Sequence, residues 1–252
     1  MQRNLRGKTK QAGSSKQGGK TSTIIVIMKP NELYDGYYSQ GDDTDFHSEE
    51  YLLLKLLESE KRGRLLDIGC GSGRTGAELL RLGFEVMGVD HSAEAVELAK
   101  KRGIAAQIAD LDGDGIPFSD AAFDLAWAGD VLEHVFDPMF TLKESHRILR
   151  PEGKIYLNVP NEFELRTRLA ILFRSRSCQS FMYRTVGMDH HHTHFSRELL
   201  DFMLEKTGFE TVWQGSMIRW PLRFIRGERL SQSRFLAKEF GRNFFLVAKK
   251  RA

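Results

Sequence analysis

The chain has 252 residues, with 37 basic against 34 acidic, a formal net charge of +3, and 41% hydrophobic residues. This is the length and composition of an ordinary soluble globular protein able to bury a sizeable core. Its two cysteines, Cys70 and Cys178, exclude a disulfide framework, and no apolar run approaches the roughly 18 residues that cross a bilayer, so a cytoplasmic protein is expected. The charge is uneven. Residues 1–29 hold seven basic and no acidic side chains, residues 30–162 carry a net −13, and residues 163–252 carry a net +9. The acidic stretch suits a cationic ligand and the basic last third an anionic one.

In chain order, residues 1–28 are rich in Gly, Ser, Gln and Lys and read as a disordered basic head. The run Gly18-Gly19-Lys20-Thr21 is not a phosphate loop, because the spacing from Gly13 is wrong and no strand precedes it. His47–Lys61 carries Leu52, Leu53, Leu56 and Leu57 at helical spacing, with Ser48 as a cap. Arg64–Ile68 is an apolar strand that runs into Gly69-Cys70-Gly71-Ser72-Gly73, followed by a helix through Leu82. Phe84–Val89 reads as a strand, Ser92–Arg102 as a helix, and Ile104–Ala109 and Phe123–Ala128 as two more strands. Asp137-Pro138 opens a helix to Leu149, and the turn Pro151-Glu152-Gly153 leads into the strand Lys154–Val159. Glu162–Phe173 reads as a basic amphipathic helix, and Ser196 caps a helix to Lys206. Phe209–Gln214 and Asn243–Lys249 form a final strand pair with a long basic connection between them. The pattern predicts an α/β fold: a doubly wound, mostly parallel seven-stranded sheet with an antiparallel last strand, Rossmann-like in plan.

In such a sheet, ligands bind beyond the carboxyl ends of the strands, where the strand order reverses. Asp67 and the loop Gly69-Cys70-Gly71-Ser72-Gly73 fall at such an end, where glycines admit a close ligand and expose the amides of the following helix. Asp90 ends the second strand and can accept both hydroxyls of a ribose; Asp110 ends the third and can line an adenine slot. Two cofactors carry an adenosine that fits. Residues 71–76 match G-x-G-x-x-G, the dinucleotide fingerprint. Asp67 argues against it, since a carboxylate there repels a pyrophosphate but suits an ammonium or sulfonium group.

The strings Leu65-Leu66-Asp67-Ile68-Gly69-Cys70-Gly71-Ser72-Gly73 and Val89-Asp90-His91-Ser92 resemble the first two motifs of class I S-adenosylmethionine-dependent methyltransferases. Ile116-Pro117-Phe118, Phe123-Asp124, Val131-Leu132-Glu133-His134-Val135 and Ile148-Leu149-Arg150-Pro151-Glu152-Gly153-Lys154 extend the resemblance to the type 11 domain and its ubiquinone-biosynthesis relatives. It covers residues 45–160 well and reaches the end weakly through His194-Phe195-Ser196 and Gly208-Phe209-Glu210. It implies S-adenosylmethionine as cofactor: Asp67, Gly69, Cys70, Gly71 and Gly73 around the methionine part, Asp90 with His91 at the ribose, and Asp110 with Leu111 at the adenine. It also implies a methyltransferase domain over 29–252, divided into a cofactor-binding core at 45–160, a substrate cap with basic insertions at 161–240 and a last strand at 241–252.

Methyl transfer requires nucleophile, methyl carbon and sulfur in line, and an oxygen nucleophile also gives up a proton. His134, just past the fourth strand, is the best placed base, with His192 and His194 as further candidates in the run His190-His191-His192-Thr193-His194. Structural use of these histidines is an equal alternative. Asp130, Glu133 and His134 resemble a divalent-ion cluster of some quinone O-methyltransferases, but Asp stands where that cluster begins with Glu, so metal binding stays open. Cys70 needs no reactive role. Phe163–Tyr183 and Trp213–Phe235 mix Arg with large apolar residues, a surface for an anionic acceptor or for peripheral contact with an anionic membrane. No nucleic-acid motif is present. The expected function is methylation, at oxygen, of a small-molecule or lipid-linked acceptor. The alternatives are an NAD-dependent oxidoreductase and a catalytically silent cofactor-binding module.

Overall fold

The computed structural model describes residues 48–173, 191–219 and 228–251. The head read over residues 1–28, Cys178 and His190 lie outside them. The chain runs α1 (Ser48–Leu57), β1 (Arg64–Ile68), α2 (Arg74–Arg81), β2 (Glu85–Asp90), α3 (Ala93–Lys101), β3 (Ala105–Ile108), β4 (Phe123–Gly129), α4 (Pro138–Ile148) and β5 (Leu149–Pro160). It continues with α5 (Leu165–Leu172), α6 (Arg197–Lys206), β6 (Phe209–Arg219), β7 (Glu228–Ser231), α7 (Arg234–Phe240) and β8 (Asn243–Lys250).

The helices start where the sequence signals them. The hydroxyl of Ser92 accepts from the Ala95 amide, Asp137 accepts from Phe140 ahead of Pro138, and Ser196 accepts from Leu199. One sheet holds all the strands in the order β3-β2-β1-β4-β5-β8-β6-β7. From β3 to β5 every pairing is parallel, and β8 slips antiparallel between β5 and β6. The expected seven strands are therefore present, with the antiparallel last strand inside the sheet rather than at its rim. A short eighth strand, β7, pairs along the end of β6.

Both faces of the sheet are covered, so successive residues of one strand feed opposite cores. Leu65 packs with Leu53, Leu57, Leu79 and Val96, on the side of α1, α2 and α3. Its neighbours Leu66 and Ile68 pack with Leu142 and Leu200, on the side of α4 and α6. In β8, Phe244 and Phe245 divide in the same way. The Phe245 ring is fully buried, stacked on Trp127 with centroids 5.6 Å apart and edge-on to Trp213 at 6.0 Å. Phe245→Ala should cost about 3–5 kcal/mol, because the two facing indoles of Trp127 and Trp213 cannot collapse into the space left. A urea unfolding midpoint shift with unchanged slope measures it.

Three boundaries correct the reading from sequence. β5 begins at Leu149 rather than Lys154: Phe123 pairs with Leu149 and Leu125 with Lys154, so the Pro151–Gly153 stretch is an irregularity within the strand, with Glu152 at φ 69°. The basic connection before β8 contains β7 and α7, the latter capped by Ser233, whose hydroxyl accepts from Leu236. The helix expected over Glu162–Phe173 is confined to Leu165–Leu172 and buries none of its residues.

Candidate active site

The strand order reverses at β1, which lies between β2 and β4, and the crevice beyond their carboxyl ends is the candidate site. Ile68 leads into a loop that turns on three left-handed glycines, Gly69, Gly71 and Gly73, at φ 69°, 51° and 78°. A side chain at Gly73 would bring its Cβ within 2.8 Å of the Ala99 backbone, whereas one at Gly71 would meet nothing within 4 Å. Gly73 thus seats the loop on α3, and Gly71 leaves the backbone open toward the crevice. The Asp90 carboxylate, 8% exposed at the end of β2, accepts from the Gly71 amide at 2.8 Å and from the Ser92 amide at 2.9 Å. Cys70 donates its amide to the Val89 carbonyl at 2.9 Å. Its thiol is buried against Gly88, and burial pushes it up to about 12, so it is inert near neutral pH.

This loop borders a cavity of about 220 Å³ whose other walls include Glu50, Trp127, Asp130 and Asn158. Asp67 also lines it. The Asp67 side chain is 2% exposed, and its Oδ2 has no hydrogen-bond partner. Burial foremost, and then the charges of Glu50 and Asp90, push its carboxyl up to about 8. Glu50 itself is engaged: it accepts from the Thr75 hydroxyl at 2.7 Å and pairs with Arg74. A buried acid with an orphaned oxygen is costly unless something positive fills the space beside it. The site residues therefore fit a cationic ligand at this end and disfavour a pyrophosphate.

The remaining sequence-derived residues divide around this cavity. His91 has a side chain 89% exposed, with Nδ1 3.6 Å from Asp90. Asp110 is exposed, its carboxylate accepting from the Asp112 amide at 3.0 Å, and Leu111 is buried next to it. None of the three lines the cavity. His134 is exposed just past β4, and its ring stands edge-on to that of His191, centroids 4.8 Å apart. His192 instead stacks on Phe136 at 4.0 Å, and His194 binds Glu162 through Nδ1 at 2.5 Å.

Among the described residues, the group able to hold a metal is Glu133, His134 and His191, whose donor atoms all lie within 4.8 Å of one another. This corrects the expected cluster. Asp130 does not belong to that group: its Oδ1 accepts from the Asn158 amide at 2.7 Å, which in turn is held by Asn243. Glu133 is 1% exposed, its Oε2 has no partner, and burial foremost, followed by the charges of Asp130 and Glu162, pushes it up to about 8. That orphaned oxygen fits a divalent cation held with two imidazoles. His191 and Glu162 were missed from the sequence; the first was hidden in a histidine run, and the second carries no local signal at all.

Residues 66–157 match the family described as "Methyltransferase domain". Over these residues the chain carries a methyltransferase domain. The relatives of this methyltransferase include the 27-O-demethylrifamycin SV methyltransferase of Amycolatopsis mediterranei, 28% identical over 79% of this chain and 76% of that one. They also include the ubiquinone biosynthesis O-methyltransferase of Xanthomonas oryzae pv. oryzae, 31% identical over 43% of this chain and 48% of its own length, so the match spans about half of that relative. Among solved structures, an S-adenosylmethionine-dependent methyltransferase of Thermotoga maritima superposes with a TM-score of 0.60 at 24% identity, over 81% of this chain and 88% of that one. The G-x-G-x-x-G match at residues 71–76 therefore belongs to a methyltransferase, not to an NAD-dependent oxidoreductase. Among the described residues, no helix is long and apolar enough to cross a membrane.

Proposed function

We propose that this methyltransferase methylates an oxygen of a small-molecule or lipid-linked acceptor. Its two named relatives above are described as acting at oxygen, one on a rifamycin and one in ubiquinone biosynthesis. S-Adenosylmethionine supplies a methyl group on a positively charged sulfur. In this reading Gly69, Cys70, Gly71 and Gly73 shape the seat of its methionine part, with Asp67 set against the positive charge. Asp90 and His91 serve the ribose, and Asp110 with Leu111 the adenine. The observation that carries the assignment is the orphaned, buried oxygen of Asp67 beside the loop.

His134 takes the acceptor's hydroxyl proton as the oxygen–carbon bond forms and the carbon–sulfur bond breaks. His192 and His194 stand in the strip that borders the acceptor. With a divalent ion held by Glu133, His134 and His191, His134 would be a ligand instead of the base, and the ion would supply a positive charge that lowers the hydroxyl's pKa. A lipid-linked acceptor would be met by the exposed apolar and basic side chains of α5: Arg166, Leu169, Ile171 and Leu172. The same helix would rest on an anionic membrane surface.

Titration calorimetry should show S-adenosylmethionine binding and no heat with NAD. Incubation with S-adenosylmethionine labelled in the methyl group should then transfer label to a component of cell extract. Binding without any transfer would leave the silent cofactor-binding module, and NAD binding alone would overturn the reading.

A further inference from the structure

Glu162 lies two residues beyond β5 and is 5% exposed. Each of its oxygens meets a different imidazole: Oε1 the Nδ1 of His191 at 2.8 Å, and Oε2 the Nδ1 of His194 at 2.5 Å. A carboxylate only accepts, so both of these nitrogens must carry a hydrogen. A neutral imidazole protonated at Nδ1 has its lone pair at Nε2. The strip that carries the two rings is pinned from the other side through its backbone. The amides of His192 and Thr193 donate to the Glu133 carbonyl at 2.7 and 3.3 Å, which brings the His191 ring against His134.

We propose that Glu162 is a positioning residue of the methyl-transfer site: it locks His191 and His194 as Nδ1–H tautomers and thereby presents the Nε2 of His191 as an unprotonated acceptor beside Glu133 and His134. The proposal rests on the methyltransferase reading for its purpose, but not for its geometry. A carboxylate is the side chain that can do this for two rings at once. Glutamine at the same place accepts from one Nδ1 while its NH₂ faces the other, which forces that ring into the Nε2–H form. A single carboxylate thus removes the choice between tautomers at both His191 and His194.

The imidazole tautomers are read directly from nitrogen-15 correlation spectra of the full chain, taken well above the ordinary imidazole range so that the rings are neutral. The His191 and His194 signals are assigned by their loss in H191Q and H194Q. Both rings should be Nδ1–H, the form less favoured by a free histidine side chain in water. In E162Q one of the two should reverse to Nε2–H. That variant should bind S-adenosylmethionine with unchanged affinity while label transfer into extract slows by about 10-fold or more, and E162D should recover part of the rate. Either ring found as Nε2–H in the unmodified protein overturns the proposal, as does a folded E162Q in which both rings and the rate are unchanged. The tautomers are read on the unmodified chain, and H191Q and H194Q serve only to assign its signals. If the chain transfers no methyl group to anything, the proposed function fails, while the spectrum still decides whether Glu162 sets the rings.

Discussion

Replacing Asp90 with alanine should weaken S-adenosylmethionine binding by about 100-fold or more. One carboxylate at the end of β2 accepts from the Gly71 amide at 2.8 Å and from the Ser92 amide at 2.9 Å. It therefore fixes the glycine loop and the entry to α3 together. Hydrogen bonds to a charged acceptor contribute about 1.5–3 kcal/mol each, and the Gly71 amide belongs to a left-handed turn. The loss falls twice on the cofactor: the seat is no longer held in shape before binding, and the proposed ribose acceptor is gone. About 3 kcal/mol is roughly a 100-fold change in Kd. Asp90→Asn is the sharper control. Its single carbonyl can serve one amide, while its NH₂ confronts the other, so it should bind the cofactor almost as poorly as the alanine variant despite its shape. Calorimetric titration, with a thermal melt of the ligand-free variants to measure the loss of fold stability separately, checks both. A wild-type Kd in Asp90→Ala would mean that the loop is held elsewhere and that the ribose is not bound at β2.

What the sequence revealed about this site is what depends on short separations. The apolar run of β1, the glycine turn after it and the acid at the end of β2 follow one another at the spacing a β-α-β unit enforces, and Asp67, Gly71 and Asp90 do meet at one loop. The alternation of Leu65 and Leu66 between two cores is likewise a strand property that residue order carries. The acceptor side was less legible because it is assembled from distant segments. Glu162 pairs with side chains 29 and 32 residues further on, and no periodic element links them. Within the histidine run the sequence reading chose His192 and His194, and no local signal pointed to His191. The backbone bonds of His192 and Thr193 to Glu133 select it: they bring His191 to His134 and leave His192 on Phe136. β7 and α7 were hidden by their shortness. β7 has four residues and a single partner strand, so its pattern is too short to read. α7 has seven residues, about two helical turns, too few for an apolar period to stand out from the basic connection that contains it.

Binding of S-adenosylmethionine near pH 7 should expel close to one proton from the protein, and Asp67→Asn should abolish that release. In the ligand-free protein, burial first, then Glu50 and Asp90, hold the Asp67 carboxyl at about 8 instead of 3.8, so at pH 7 most molecules carry it protonated. A cation brought into the cavity that Asp67 lines favours the ionised form of its carboxyl and drives the proton off. The affinity should accordingly rise with pH, by up to about tenfold per unit below pH 8. Stability runs the other way. A carboxyl whose folded pKa lies above its unfolded value contributes stability that is complete below about pH 4 and is lost as pH rises through about 8, and Glu133, also raised to about 8, adds to the same slope. Each group can remove at most about 1.4 kcal/mol per pH unit across that window. The ligand-free melting temperature should therefore fall from pH 5 to pH 8, and saturating S-adenosylmethionine should flatten the share of that fall due to Asp67. Asp67→Asn keeps the shape and cannot ionise, so its ligand-free form should melt higher than the wild type at pH 8 while binding the cofactor more weakly. Titrations in buffers of different ionisation heat count the protons. The wild-type minus Asp67→Asn difference removes any contribution from the cofactor's own amine. Equal proton counts in the two proteins would place the positive charge of the cofactor away from Asp67, and with it the orientation of the whole ligand in the crevice.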